Sequence, residues 1–248
     1  MAEDFTNRVA LVTGAFRGFG RAISERLATC GASVAVNVRD PERAEATARL
    51  LGDHGFAVPG DLAKPEDLEF IVARTLDRFG RIDILVNNAA VALSTRFEKI
   101  TEEEWRRTFE VNVTAVFLLT RAVLPAMKSQ RYGRIVNLSS TAGKTVSTLG
   151  GAHYTASKAA LLGLTRASAK ELGPYGITVN AICPGLFDTE LTRENATAEQ
   201  LAAAAQSFPI RRLGEPVEVA DLVCFLASEA AGYITGAALD INGGDLMV

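Results

Sequence analysis

The sequence predicts an α/β fold: a doubly wound parallel sheet buried under helices on both faces. Apolar residues make up 48% of the 248 residues but aromatics only 7%, so the core must be built from Ala, Val, Leu and Ile, which suits a sheet covered on both sides. Short apolar runs alternate with longer amphipathic ones along the chain. The amino-terminal segment reads strand, glycine turn, helix. No composition shift or Pro/Ser-rich linker divides the chain, so one domain over residues 1–248 is expected. A net charge of -3 without a basic patch argues against a nucleic-acid surface.

The first strand, residues 8–13, runs directly into Gly14-Ala15-Phe16-Arg17-Gly18-Phe19-Gly20 and then a helix over 21–29. A G-x-x-x-G-x-G turn between strand and helix lets backbone approach a pyrophosphate, and the helix amino terminus offers free N–H groups. Gly14, Arg17, Gly18, Phe19 and Gly20 are therefore dinucleotide-binding candidates. The second strand, 33–38, ends in Val38-Arg39-Asp40. An acidic residue there would accept from the ribose 2'-hydroxyl of NAD, and a basic one would accommodate the 2'-phosphate of NADP. Val38 fills the acidic position and Arg39 follows, which with Arg17 points to NADP(H). NAD(H) stays open, because Asp40 is one residue on and Arg39 also reads as a solvated side chain.

A helix over 41–51 starts at a proline. The third strand, 56–58, leads to Asp61 and Leu62, placed to touch an adenine edge through a carboxylate and an amide; a turn or cap aspartate is the other reading. A helix over 65–79 shows Leu68, Ile71, Val72 and Leu76 on one side. The fourth strand, 82–86, ends in Asn87-Asn88-Ala89-Ala90, where small residues let the chain pass close to a flat ring. Thr101 with Glu102, Glu103 and Glu104 starts a helical run to Met127 that Asn112 and Thr114 interrupt. Asn112, between Val111 and Val113, either satisfies backbone groups at a kink or holds a water near a reaction centre, or both.

Residues 135–138 read as a buried strand ending in Ser139 and Ser140, at the sheet edge where such folds bind ligands. Tyr154 and Lys158 follow, four positions apart and so on one helix face. An ammonium beside a phenol favours the phenolate and lowers a pKa of ordinarily about 10. Alone, a Y-x-x-x-K pair is also compatible with an ordinary helix surface. A sixth strand over 177–183 ends in Pro184-Gly185-Leu186-Phe187-Asp188-Thr189, and an Ala-rich helical insertion follows, with 189–212 as a candidate lid. A helix over 217–228 and a strand over 237–241 close the chain.

Cys30, Cys183 and Cys224 lack metal-ligand spacing and read as buried thiols in a reducing compartment. His54 and His153 cannot make a metal site alone. The acidic amino terminus lacks a signal-peptide core, and no membrane span is read, so a cytoplasmic protein is expected.

Together these residues resemble the short-chain dehydrogenase/reductase family over essentially the whole chain. Thr13 to Gly20 match its T-G-x-x-x-G-x-G turn, Asn87-Asn88-Ala89 its N-N-A-G, Asn112, Ser140, Tyr154 and Lys158 its catalytic set, and Pro184-Gly185 its P-G before the lid. Ala90 replaces the last glycine of N-N-A-G. The Ser140-to-Tyr154 spacing is one residue longer than in many relatives, so residues 144–152 are expected to bulge, and Ser139 stays an alternative to Ser140. The resemblance implies a seven-stranded sheet in the order 3-2-1-4-5-6-7. It implies that Tyr154 exchanges a proton with the substrate oxygen and that Ser140 binds the carbonyl. Lys158 would hold the nicotinamide ribose and lower the tyrosine pKa, and Asn112 would order a water. Thr189 and the backbone near Phe187 would fix the carboxamide. It also implies a homotetramer joined through the long helices, so their Ala-rich faces are either interface or core. The expected activity is NADP(H)-dependent interconversion of a small ketone and a secondary alcohol, with a 3-oxoacyl thioester as substrate class. A sugar, cyclic alcohol or steroid is the alternative substrate, and a non-catalytic dinucleotide sensor is the rival of another class.

Overall fold

The computed structural model describes residues 3–147 and 150–248. Seven strands, β1 (Val9–Thr13), β2 (Ser33–Asn37), β3 (Gly55–Ala57), β4 (Ile84–Asn87), β5 (Gly133–Leu138), β6 (Ile177–Pro184) and β7 (Ala238–Ile241), form one sheet. Their order is β3-β2-β1-β4-β5-β6-β7, and every pairing is parallel. Strand direction out of β1 switches sides between β1 and β4, which opens a crevice at their carboxyl ends.

Strand alternation assigns the two faces. Ala10, Val12, Val34, Val36, Ile84 and Val86 point to one core, and Leu11, Ala35 and Leu85 to the other. The first face is covered by α1 (Gly18–Thr29), α2 (Pro41–Leu50) and α9 (Pro216–Ala227). The second is covered by α3 (Pro65–Phe79), α5 (Ala115–Gln130) and α6 (Ala152–Leu172). Local signals set the helix ends. The Asp40 carboxylate accepts from Arg43 N–H at 2.9 Å to cap α2, and Thr101 and Glu104 form a reciprocal capping box at the start of α4 (Glu102–Phe109).

The long run read from Thr101 is broken where Asn112 lies. A π-helical turn, Glu110–Thr114, joins α4 to α5. By length and apolarity residues 102–130 could cross a bilayer, but here Ala115, Val116, Leu119, Val123 and Met127 are buried against the sheet and its neighbours. The Ala-rich helical insertion is not one helix but two, α7 (Glu190–Asn195) and α8 (Ala198–Ser207), because Thr197 and Gln200 start a fresh capping box. Helix α1 begins at Gly18 rather than Arg21, so the second and third glycines of the turn already lie in its first residues. Of the loop expected to bulge, residues 148 and 149 lie outside the described residues.

At the amino ends of the strands sits a charged knot. Asp83 is fully buried and accepts from Arg8 Nη1 (3.1 Å), Arg81 Nε and Nη2 (2.8 and 2.6 Å) and the Val9 backbone N–H (2.9 Å). It ties the start of β1 to the start of β4, on the opposite edge of the sheet from the crevice.

Candidate functional site

The glycine turn is packed too tightly for side chains. A Cβ on Gly20 would stand 2.2 Å from the Gly14 carbonyl oxygen, and one on Gly14, which has φ +64, 2.9 Å from Ala89 Cα. Asn88 braces this turn: its Nδ2 donates to Thr13 O (2.9 Å) and Gly14 O (3.1 Å), while Thr13 Oγ1 accepts from the N–H groups of Asn88 (3.0 Å) and Ala89 (3.1 Å). Asn88 was read as a cofactor contact, and its side chain is spent on positioning the turn. Phe19 meets Phe187 edge-on at 5.1 Å, joining the turn to the segment after β6. The side chain of Arg17, the residue preceding α1, does not cap the helix, so its N–H groups are available to an acceptor from elsewhere. This close-packed cradle at a helix amino terminus fits a dinucleotide phosphate. Gly20→Ala is expected to lower dinucleotide affinity by more than about tenfold, since the Cβ can be accommodated only by moving backbone; a fluorescence titration measures it.

On the rim of the turn, Arg39 is exposed and Arg43 lies 4.8 Å above the ring of Phe16. Asp40 is committed to its cap. Asp61 follows the turn reading: its carboxylate accepts from Ala63 N–H (3.0 Å) and from Arg107 Nη2 (3.1 and 3.3 Å). Burial pushes this carboxyl up, but those donors outweigh it and hold the pKa below its ordinary value. Leu62 beside it is buried.

The chemistry-bearing residues converge where β5 and β6 end. Tyr154 and Lys158 share one face of α6, with the ammonium 5.6 Å from the centre of the phenol ring. Lys158 is buried and its Nζ donates to Leu138 O at 2.6 Å. The two serines point differently. Ser139 Oγ donates to Lys158 O at 2.9 Å, whereas the Ser140 hydroxyl hydrogen-bonds the Tyr154 phenol and also accepts from Ala142 N–H at 3.1 Å. The structure therefore brings Ser140, not Ser139, to the phenol.

The expected lowering of the tyrosine pKa is not found. Burial pushes the Tyr154 phenol above its ordinary value, and the one opposing influence is the Ser140 hydroxyl. Burial also lowers Lys158 to about 8, against a smaller raising effect of the Cys183 thiol. The two groups, whose ionised forms carry opposite charge, are each shifted toward their neutral form, as desolvation requires.

Asn112, at the π turn, is almost wholly buried, and its side chain is engaged. Oδ1 accepts from Val91 N–H (2.7 Å), and Nδ2 donates to Val91 O (2.9 Å) and Ser157 Oγ (2.9 Å). Of the two readings, it satisfies backbone, though that of the loop after β4 rather than of its own helix; a water-ordering role does not run through its amide donors. Ser157 escaped the sequence reading. Its hydroxyl donates to Tyr154 O at 2.7 Å, and its signal was its place three residues after Tyr154, on the same helix face. Cys183, read only as a buried thiol, lies beside Ser139 and Ser140, and burial pushes it up.

Pro184 ends β6 and Phe187 is buried. Thr189 caps α7, accepting from Thr192 N–H at 3.2 Å. Helix α7 lies over the turn: Glu190 Oε2 accepts from Gly18 N–H at 3.2 Å, and Glu194 pairs with Arg17. A cavity of about 490 Å³ opens between α7 and α8, lined by Asp188, Arg193, Leu201, Ala205 and Leu213 among others.

Comparison with known proteins agrees with this geometry. The model of a family described as Enoyl-(Acyl carrier protein) reductase matches residues 14–245. The chain is 42% identical to 3-oxoacyl-[acyl-carrier-protein] reductase of Vibrio cholerae over 97% of its own length and 98% of that protein. It is similar to the crystal structure of a 3-ketoacyl-(acyl-carrier-protein) reductase of Brucella melitensis complexed with NADH, with TM-score 0.91, 36% identity, and 97% and 99% of the two chains covered. A Brucella melitensis structure described as short-chain dehydrogenase/reductase, glucose/ribitol dehydrogenase, aligns with TM-score 0.93 at 34% identity over 100% of both chains. With its sheet order, glycine turn and Ser140, Tyr154 and Lys158 brought to one point, the chain belongs to the short-chain dehydrogenase/reductase family of NAD(P)-dependent oxidoreductases.

Proposed function

We propose that the protein interconverts a 3-oxoacyl thioester and its 3-hydroxy counterpart, with NADP(H) as the preferred dinucleotide. The observation that carries the reading is the Ser140 hydroxyl on the Tyr154 phenol, with the Lys158 ammonium one turn along the same helix. The dinucleotide supplies or accepts the hydride. Ser140 donates a hydrogen bond to the substrate carbonyl oxygen, and Tyr154 gives that oxygen a proton as negative charge develops on it. A phenol held above its ordinary pKa is fully protonated at neutral pH and so is ready to act as the acid. Lys158, mostly an ammonium at neutral pH with a pKa of about 8, stabilises the phenolate left behind and would bind the ribose hydroxyls. Asn112 and Ser157 hold Tyr154 and the loop at Val91 in register.

Gly14, Gly18, Phe19 and Gly20 would hold the pyrophosphate, with Arg17 and Arg39 as the cations toward the 2'-phosphate. Asp61, Leu62, Asn88 and Ala89 would line the adenosine side, and Pro184, Gly185, Phe187 and Thr189 the nicotinamide side. The NADP(H) preference is supported by Asp40, whose carboxylate is committed to the cap of α2 while Arg39 is exposed beside it. Arg39→Ala is expected to weaken NADPH binding about tenfold and leave NADH binding nearly unchanged, the loss of one charge-assisted phosphate contact. Fluorescence titration with both cofactors checks this, and an undiminished NADPH preference would reject the assignment.

Residues 189–212 act in this reading as the lid of a single domain. A carrier protein would meet its edge. Two of the three cations there are internally paired, Arg193 with Asp188 and Arg212 with Glu218, which leaves Arg211 for an acidic partner. The assembly is a cytoplasmic homotetramer, supported by the exposed Trp105 and Phe117 on the outer side of α4 and α5. The deciding experiment follows oxidation of NADPH with 3-oxoacyl thioesters, simple ketones and, in reverse, sugar alcohols. Preference for a sugar alcohol would favour the reading drawn from the glucose/ribitol dehydrogenase, and no turnover with any of them would reject both.

A further inference from the structure

Two groups assigned above to a dinucleotide's phosphates are held by carboxylates of the chain itself. Glu190 Oε2 accepts from Gly18 N–H at 3.2 Å, and Glu194 pairs with the Arg17 guanidinium. The two glutamates are four residues apart, one turn of α7, so one face of that helix presents both. The basic residue between them is turned away, since Arg193 grips the Asp188 carboxylate through Nε and Nη2 at 2.7 Å each. Helix α7 thus shows the phosphate turn only negative charge.

The contact is chemically matched to the anion the turn is built for. The amino end of α1 is positive, and the side chain of its N-cap residue, Arg17, leaves the first N–H groups uncapped. A lid carboxylate supplies the cap instead. Thr192 is the one buried residue of α7, so little apolar area seats this helix and polar contacts with the turn carry much of the load. A phosphate entering the same turn meets two negative charges within the first shell of the groups it needs.

We propose that Glu190 and Glu194 form a carboxylate latch that seats α7 on the glycine turn and competes with the dinucleotide's phosphates for Gly18 and Arg17. The competitor's identity rests on the dinucleotide reading above; the latch contacts do not. Cofactor binding then displaces both carboxylates, and lid opening and cofactor affinity are one linked equilibrium.

The test uses the full chain, its Glu190→Gln/Glu194→Gln double variant, and a Glu69→Gln/Glu199→Gln variant at exposed positions of α3 and α8 as a control for the same change in net charge. Fluorescence titration with NADPH is expected to show binding about tenfold tighter in the double variant, a coupling of ordinary size, with the control matching the parent. Hydrogen–deuterium exchange without ligand is expected to speed up across residues 191–195 in the double variant alone. Unchanged or weaker NADPH binding in the double variant, with the parent binding normally, overturns the competition. Unchanged exchange across 191–195 overturns the latch. If neither parent nor variant binds NADPH or NADH, the dinucleotide reading fails, and the exchange result still decides whether the carboxylates seat the lid.

Discussion

Tyr154→Phe is expected to lower kcat by about 10² to 10⁴-fold, the contribution of a positioned proton donor, with dinucleotide affinity unchanged within about twofold. The ring remains, so the packing over Lys158 is kept, and only the hydroxyl that meets Ser140 is lost. Steady-state kinetics under saturating thioester and NADPH, paired with a fluorescence titration of the same preparation, measure both quantities. Retained turnover would remove the phenol from the mechanism and reopen the reading as a dinucleotide sensor. A phenol held above its ordinary pKa is the protonated form that gives the substrate oxygen its proton in the reductive direction.

Asp83→Ala is expected to cost about 3 kcal/mol of stability, without changing KM for the thioester. Arg8 and Arg81 reach solvent in part and can be rehydrated, but the Val9 N–H loses its acceptor in a fully buried place. Urea denaturation followed by circular dichroism reads the loss as a lower midpoint at unchanged slope. Asp83→Asn retains an acceptor for Val9 and should lose less. A cost below about 1 kcal/mol for the alanine variant would mean that water replaces the knot. The two variants dissect opposite edges of one sheet: the first alters chemistry at its carboxyl ends, the second cohesion at its amino ends.

The fold was largely legible because its signals are local and redundant. The apolar runs that became β1, β2, β5 and β6 had no competing periodicity, and Pro41, Pro65 and the Thr101 box mark helix starts that any tertiary context would use. Strand order is different. Nothing in residues 33–37 or 55–57 states which neighbour they take, and the order followed from family resemblance. Within the site, residue identities were readable and hydrogen-bond assignments were not. Asn88, Asn112, Thr189 and Asp61 were all expected to face ligand or water, yet each spends side-chain atoms on bracing the protein; for the two asparagines a partner distant in sequence decides where the amide turns, whereas Thr189 and Asp61 take a backbone N–H two or three residues on. The phenol was misjudged for a related reason. Spacing placed the ammonium near it correctly, but depth of burial decides the sign of the shift, and depth is not a property of a five-residue motif. The break between α7 and α8 was written in Thr197 and Gln200, a box overlooked inside an Ala-rich run.

Residue 158 is gripped twice by the end of β5: its side chain by the carbonyl of Leu138, and its main-chain carbonyl by the hydroxyl of Ser139. Such a two-point clasp indexes α6 to the sheet independently of the chain that leads into it. Lengthening or shortening the chain upstream of Ala152 is therefore expected to leave the phenol in alignment with Ser140.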